Sequence, residues 1–378
     1  MKRNSVALVA GIALILSFTQ GCGGGGGTNP PPANTLSPGF NAVGSMTVAR
    51  YLHTATKLVS GKVLIAGGYG LDSAEIYDPA TRLFTATTGT MHSARYNHTA
   101  TLLSNGMVLI AGGKKTSLDS PLDTAEVFDP ATGTFTLVTN LMKSKRAGHT
   151  AIMLVSGKVI LIGGDDGSTT QPFTPTAAAE IYDPASGPAT ATFTLTGSMS
   201  VARASPTTTR LTNGDIFVAG GSNYFNYLNS SETYSPSGGT FTTGANLTVA
   251  RAMGVRAVLL MASNDVLLTG GYTGTYLDSA DLYTAGTFTS GGTMTQQRRS
   301  HTMTVLNSGK VLIAGGENPT RLKSAELYDP STRTYTAIGN MLSERADHTE
   351  TLLQDGTVLL TGGNSNSATM ASAELYKE

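Results

Sequence analysis

The sequence predicts an all-β fold, a propeller of seven blades that are each a four-stranded antiparallel sheet. Three observations carry that prediction. Glycine pairs recur seven times, at Gly67-Gly68, Gly112-Gly113, Gly163-Gly164, Gly220-Gly221, Gly270-Gly271, Gly315-Gly316 and Gly362-Gly363, 45 to 57 residues apart, a period typical of propeller blades. Each pair closes a short apolar run such as "VLIAGG", "VILIGG" or "VLLTGG", too short for a helix and rich in β-branched residues, as buried strands are. The last unit stops at "ELYKE" without a fourth strand, and "GFNAVGSM" from Gly39 to Met46 supplies one at the other end of the repeats. With Phe40 counted, seven fourth strands match seven glycine pairs. A ring that closes by lending its first strand to its last blade accounts for this, and closure removes exposed sheet edges.

The unit reads as four strands, "HTATKL", "KVLIAGG", "SAEIYDP" and "LFTATTG" in the first copy. An arginine precedes the first glycine by 17 residues in six copies, as Arg50, Arg95, Arg146, Arg203, Arg298 and Arg345; the fifth, Arg251, stands at 19. Four residues before each is Met46, Met91, Met142, Met199, Leu247, Met294 or Met341. After the glycines an acidic residue (Glu75, Glu126, Glu180, Glu232, Asp281, Glu326, Glu374) lies two positions ahead of an aromatic (Tyr77, Phe128, Tyr182, Tyr234, Tyr283, Tyr328, Tyr376). Asp-Pro and similar turns follow, and the fourth strand carries Phe84, Phe135, Phe193, Phe241, Phe288 or Tyr335.

These residues resemble the kelch repeat: an apolar run, Gly-Gly, then an aromatic followed seven residues later by another, as in Tyr77 to Phe84, Phe128 to Phe135, Tyr234 to Phe241 and Tyr328 to Tyr335. The resemblance covers residues 40 to 378. Where the family usually has Trp, this chain, which contains none, has Phe or Tyr. The galactose oxidase central domain is similar, and that resemblance implies a copper site with a Tyr crosslinked to a Cys. The only cysteine here is Cys22, outside the propeller, so a copper-radical oxidase is excluded. Sialic acid mutarotases are also similar to kelch propellers, which keeps a carbohydrate-active enzyme open as an alternative, with a structural surface protein as a second.

Arg50-x-x-His53 has the residue types of a catalytic pair. It recurs as Arg95/His98, Arg146/His149, Arg298/His301 and Arg345/His348. One catalytic constellation suffices per molecule, so five copies point to structure, with the seven arginines satisfying loop carbonyls or a carboxylate. The glycines are expected where backbone passes close to a neighbour. No unique set of carboxylates, His or Lys stands out, nor any zinc spacing, phosphate loop or nucleophile elbow. No catalytic residue, metal or cofactor is therefore assigned.

Function is expected where the copies differ. From first glycine to acidic residue the distances are 8, 14, 17, 12, 11, 11 and 12 residues, and these loops share one face with the segments before each Arg. That rim is the expected ligand surface, for a protein or a carbohydrate. Tyr224, Phe225 and Tyr227 in "SNYFNYLNS" are its candidate binding residues, against the alternative that one or two fold inward. Asp165 and Asp166 lack the spaced ligands of a calcium loop and read as a solvated turn.

The N-terminus carries Met1-Lys2-Arg3, the apolar run Val6 to Leu16, and "SFTQGC". This resembles a bacterial lipoprotein signal, with residues 1–21 removed and Cys22 carrying lipid; a signal peptide with an incidental cysteine is the alternative. Residues 22–39, "CGGGGGTNPPPANTLSPG", read as a tether. The expectation is an extracytoplasmic monomer anchored through Cys22 in the cell envelope. Formal charge is zero, which gives no footprint for nucleic acid.

Overall fold

The structure, a computed structural model, describes residues 36–167 and 174–378; residues 1–21 and Cys22 lie outside them. From Ser37 onward the chain is one compact unit. It contains seven four-stranded antiparallel sheets. The first is Thr54–Lys57, Val63–Ala66, Ala74–Asp78 and Leu83–Ala86 from inside outward. The innermost strand of each blade contacts those of its two neighbours, and Thr54–Lys57 meets Thr349–Leu352, so the ring closes.

The seam lies where the repeat count places it. Gly39–Ala42 pairs antiparallel with Ala373–Lys377, with Phe40 opposite Tyr376, and completes the seventh sheet. Asn41 caps this strand: its side-chain amide donates to the carbonyls of Ser37 and Gly39. The strand begins at Gly39, one residue inside the segment expected as tether.

The second strand of each blade is buried along its length, because its side chains fill both gaps between neighbouring sheets. One such core joins Leu64 and Ala66 of blade 1 to Val108, Ile110 and Phe128 of blade 2. The next joins Leu109 and Val127 to Val159, Leu161 and Tyr182. Third- and fourth-strand aromatics stand opposite each other in register, their ring centroids 4.8 to 5.2 Å apart, a favourable tilted contact. Phe and Tyr thus occupy the layer between sheets without Trp.

Candidate functional site

Each conserved arginine of the repeat closes a clasp within its own blade. Arg50 donates through Nη1 to the carbonyls of Gly67 and Ser73 (both 2.9 Å) and through Nη2 to Glu75 Oε1 at 3.0 Å. Glu75 in turn accepts from the amides of Thr47 and Val48, fixing the connection that enters the blade. Arg95–Glu126, Arg146–Glu180, Arg203–Glu232, Arg298–Glu326 and Arg345–Glu374 repeat this pairing at 2.7 to 3.1 Å, all nearly without exposure. The fifth clasp differs. Asp281 is one methylene shorter than Glu, and Arg251 reaches it through Nε at 2.7 Å. In the other six clasps Nε has no partner.

The glycine pairs join blade to blade. Gly68 donates its amide to the carbonyl of Arg95 in the next blade, and the same bond recurs at every junction, including Gly363 to Arg50 at 2.7 Å. A Cβ on Gly112 would lie 2.4 Å from the carbonyl oxygen of Arg146 and 2.8 Å from the ring of His149. The histidines of the Arg-x-x-His pairs reach the other way. His98 Nε2 bonds Thr54 Oγ1 of the preceding blade at 3.0 Å, His149 bonds Thr99, His348 bonds Thr302, and His53 bonds Thr349 and Thr361 across the seam. Burial pushes His53 and His98 down to about 3, and holds the others well below the usual range. They are neutral ring-closing groups.

The face carrying the loops after Gly-Gly exposes Tyr69, Leu118, Tyr224 and Phe225. Phe225 is 83 % and Tyr224 48 % exposed, and the two rings meet edge-on at 5.0 Å. Tyr227 turns away from them to pack edge-on against Tyr272, which packs on Tyr276. The Arg299 guanidinium lies 4.9 Å from the Tyr272 ring and 5.3 Å from that of Tyr276. Of the three predicted residues, two therefore present their rings outward and one packs into a separate aromatic cluster. Sequence reasoning missed Leu118, 96 % exposed in the blade 2 loop, and the cluster of Tyr51, Tyr69 and Tyr96. Position was the available signal: Tyr69 and Tyr272 both directly follow a glycine pair. Asp165 corrects an expectation. It is buried, its Oδ2 2.6 Å from Lys114 Nζ, and its Oδ1 accepts from the amides of Gly167 and Thr174.

On the same face opens the central channel, a cavity of about 690 Å³. Its mouth is ringed by left-handed residues, Leu52, Asn97, Gly148, Ser205, Met253, Ser300 and Asp347, a conformation unusual for side-chain-bearing residues. Amide-to-carbonyl bonds link neighbours around this ring: Leu52 to Asp347, Asn97 to Leu52, Gly148 to Asn97, Ser205 to Gly148, and Asp347 to Ser300.

Two channel positions break the repeat. Six blades open the innermost strand with Thr54, Thr99, Thr150, Thr207, Thr302 or Thr349; blade 5 has Arg256. One register further, Glu350 replaces Ala55, Ala100, Ala151, Thr208, Ala257 and Met303. Burial pushes the Glu350 carboxyl up to about 8, and it also raises that of Asp347. Arg256 acts electrostatically on both. Glu350 was legible as the one acidic residue in the "HTA" column, in "HTETL". Arg256 was obscured by an extra residue that displaces blade 5 from the common spacing.

The Kelch motif family model matches residues 94–142 and 297–342. The chain is a kelch-repeat propeller. The two matched segments belong to blades 2 and 6, whose Arg, Gly-Gly, acidic residue and paired aromatics recur in the other blades. No curated protein matches it. Among solved structures, the propeller is similar to a copper complex of a novel fungal alcohol oxidase of the AA5 family, with TM-score 0.73 and 18 % identity over 90 % of this chain and 76 % of that one. It is also similar to the structure of YjhT, with TM-score 0.60 and 15 % identity over 78 % of this chain and 99 % of that one. At such identities the likeness is one of fold.

The donor set of this kelch propeller does not fit copper. The five channel histidines each engage a threonine hydroxyl of a neighbouring blade, and among the described residues no three His, Cys, Asp or Glu side chains converge on one point.

Proposed function

We propose that the propeller is a recognition module that binds a protein or glycan on the rim formed by the loops after its glycine pairs. The observation that carries this reading is the outward pair Tyr224 and Phe225, set beside the ordered Tyr227–Tyr272–Tyr276–Arg299 platform. Exposed rings held on rigid neighbours lose little entropy when they stack on a sugar or a peptide side chain. The variable loop lengths of blades 2 and 4 give this rim a shape of its own. The N-terminal sequence supports an extracytoplasmic location with a lipid on Cys22, which Cys22→Ser tests by release from the membrane fraction.

The deciding experiment is a glycan and peptide array probed with the wild type and with Tyr224→Ala/Phe225→Ala. Retention of a ligand by the wild type and its loss from the double variant, at equal melting temperature, supports the reading. Retention of nothing, or equal retention by both, overturns it.

A second reading, an enzyme using acid–base chemistry in the channel, is favoured by one observation: Glu350 is a carboxyl held protonated near neutral pH, as a general acid must be.

A further inference from the structure

The channel contains a cation whose terminal nitrogens the fold does not use. Six of the seven repeat arginines spend both terminal nitrogens on backbone carbonyls and a carboxylate, and Arg251 gives its carboxylate Nε while its terminal nitrogens bond Gly270 and Ser279. Arg256 instead donates only Nε, to the carbonyl oxygen of His301 at 2.9 Å. Its Nη1 and Nη2 have no hydrogen-bond or ion-pair partner among the described residues, although the guanidinium lines the channel beside Asp347 and Glu350. It is open to the channel space and enclosed by the blades around it.

The surrounding blades accommodate this substitution. In the regular ring, His301 would bond the first threonine of the preceding innermost strand, the position that Arg256 occupies. Thr269, where most blades have alanine or isoleucine, provides the hydroxyl instead, 2.8 Å from His301 Nε2. The ring bond is kept by a second change, and the guanidinium is left with a fixed Nε and a free fork. Glu350 is also incompletely satisfied: Oε2 accepts from Thr304 Oγ1 at 3.0 Å, while Oε1 is buried without a partner.

We propose that the channel mouth is a binding site for the carboxylate of a small organic acid, held by Nη1 and Nη2 of Arg256. A guanidinium fork matches a planar carboxylate bidentately, and the cavity volume suits a small molecule. A monoanion fits the local charge better than a dianion, since Asp347 is nearby and half-buried. Glu350 modulates the site: while it holds its proton, Asp347 is the one carboxylate acting on Arg256, and when it ionises it adds a second negative charge that repels the ligand. The other titratable groups around it are Asp347 and His348 just ahead of its own strand, His301 ahead of the blade 6 strand, His53 and Lys57 at the two ends of the blade 1 strand, and Arg256 itself. The three histidines remain neutral across the range from pH 6 to 9.

The inference is independent of the rim reading, because its test reads a different variant and a different ligand. The chain is titrated calorimetrically with acetate, lactate and benzoate, with acetamide, lactamide and benzamide as neutral controls and inorganic sulfate as the dianion control. At least one acid is expected to bind saturably near pH 6.5, with its amide and sulfate weaker by about tenfold or more, and Arg256→Gln is expected to weaken it by about tenfold to a hundredfold. Arg256→Lys, which retains the charge without the fork, falls between. Wild-type affinity drops as pH rises through about 8, and Glu350→Gln abolishes that drop. Absence of saturable binding by all three acids, equal binding of sulfate, or wild-type affinity in a folded Arg256→Gln protein would overturn the proposal.

Discussion

Phe40 and Tyr376, separated by almost the whole propeller sequence, face each other with ring centroids 5.0 Å apart in the sheet that closes the ring. Six other blades make the same contact between consecutive strands; only here does it join the two ends of the domain. Phe40→Ala is expected to cost about 1–3 kcal/mol, read from urea unfolding. Removing residues up to Ala42 would also leave the Ala373–Lys377 edge unpaired and promote association, visible by size-exclusion chromatography. A truncated chain that melts with the wild type and stays monomeric would show that the seam is not closed by this strand.

The buried clasps should dominate the charge contribution to stability. Arg146→Ala leaves Glu180 buried without its cation, at a cost of about 3–5 kcal/mol. Lys62→Ala removes a half-exposed ion pair with Asp78 and should cost less than about 1 kcal/mol. Chemical denaturation of both variants checks the ordering.

Glycine is required at the junctions for two separable reasons. Gly112 has φ +63°, and a Cβ there would meet the Arg146 carbonyl at 2.4 Å; Gly187 has φ +93° with nothing within 4 Å of the same position. Gly187→Ala should therefore lose about 1–2 kcal/mol from backbone strain alone, and Gly112→Ala substantially more. Equal melting temperatures for the two variants would refute the steric account.

Acid should loosen the ring through its histidines. The unfolded chain protonates histidine near its ordinary value of about 6.5, whereas burial keeps His53 and His98 neutral down to about 3. Their contribution is complete above 6.5 and is lost as pH falls from there towards 3. Glu350 acts oppositely, its contribution being complete below its ordinary value near 4.5 and lost as pH rises through about 8. The melting temperature should thus decline from pH 6.5 to 4, and His98→Asn should make that decline shallower. An unchanged slope would contradict the assignment.

Repetition made most of the fold legible, because a pattern written seven times separates packing from accident. Gly-Gly, the clasp residues and the paired aromatics each recur at fixed spacing, and the missing fourth strand revealed the closure. The same reasoning identified Arg50 and His53 as parts of a repeated unit. It did not identify their partners, since His53 reaches Thr349 and Thr361, 296 and 308 residues away. The candidate channel residues were less legible for a related reason. Glu350 and Arg256 are single departures in columns otherwise filled by uncharged residues, and they become neighbours only when blades 5 and 7 are placed on either side of blade 6. Tyr227 illustrates a limit of composition: three aromatics in one loop look alike in sequence, but packing on Tyr272 separates one from the other two.

The central claim, that recognition uses the face where the copies differ, is tested most directly by hydrogen–deuterium exchange of the wild type with the best ligand from the array. Protection is predicted in the loops after the glycine pairs of blades 2 and 4, around Leu118 and Tyr224–Tyr227. Protection confined to the opposite face, at turns such as Ser60-Gly61 and Ala131-Thr132, would contradict it.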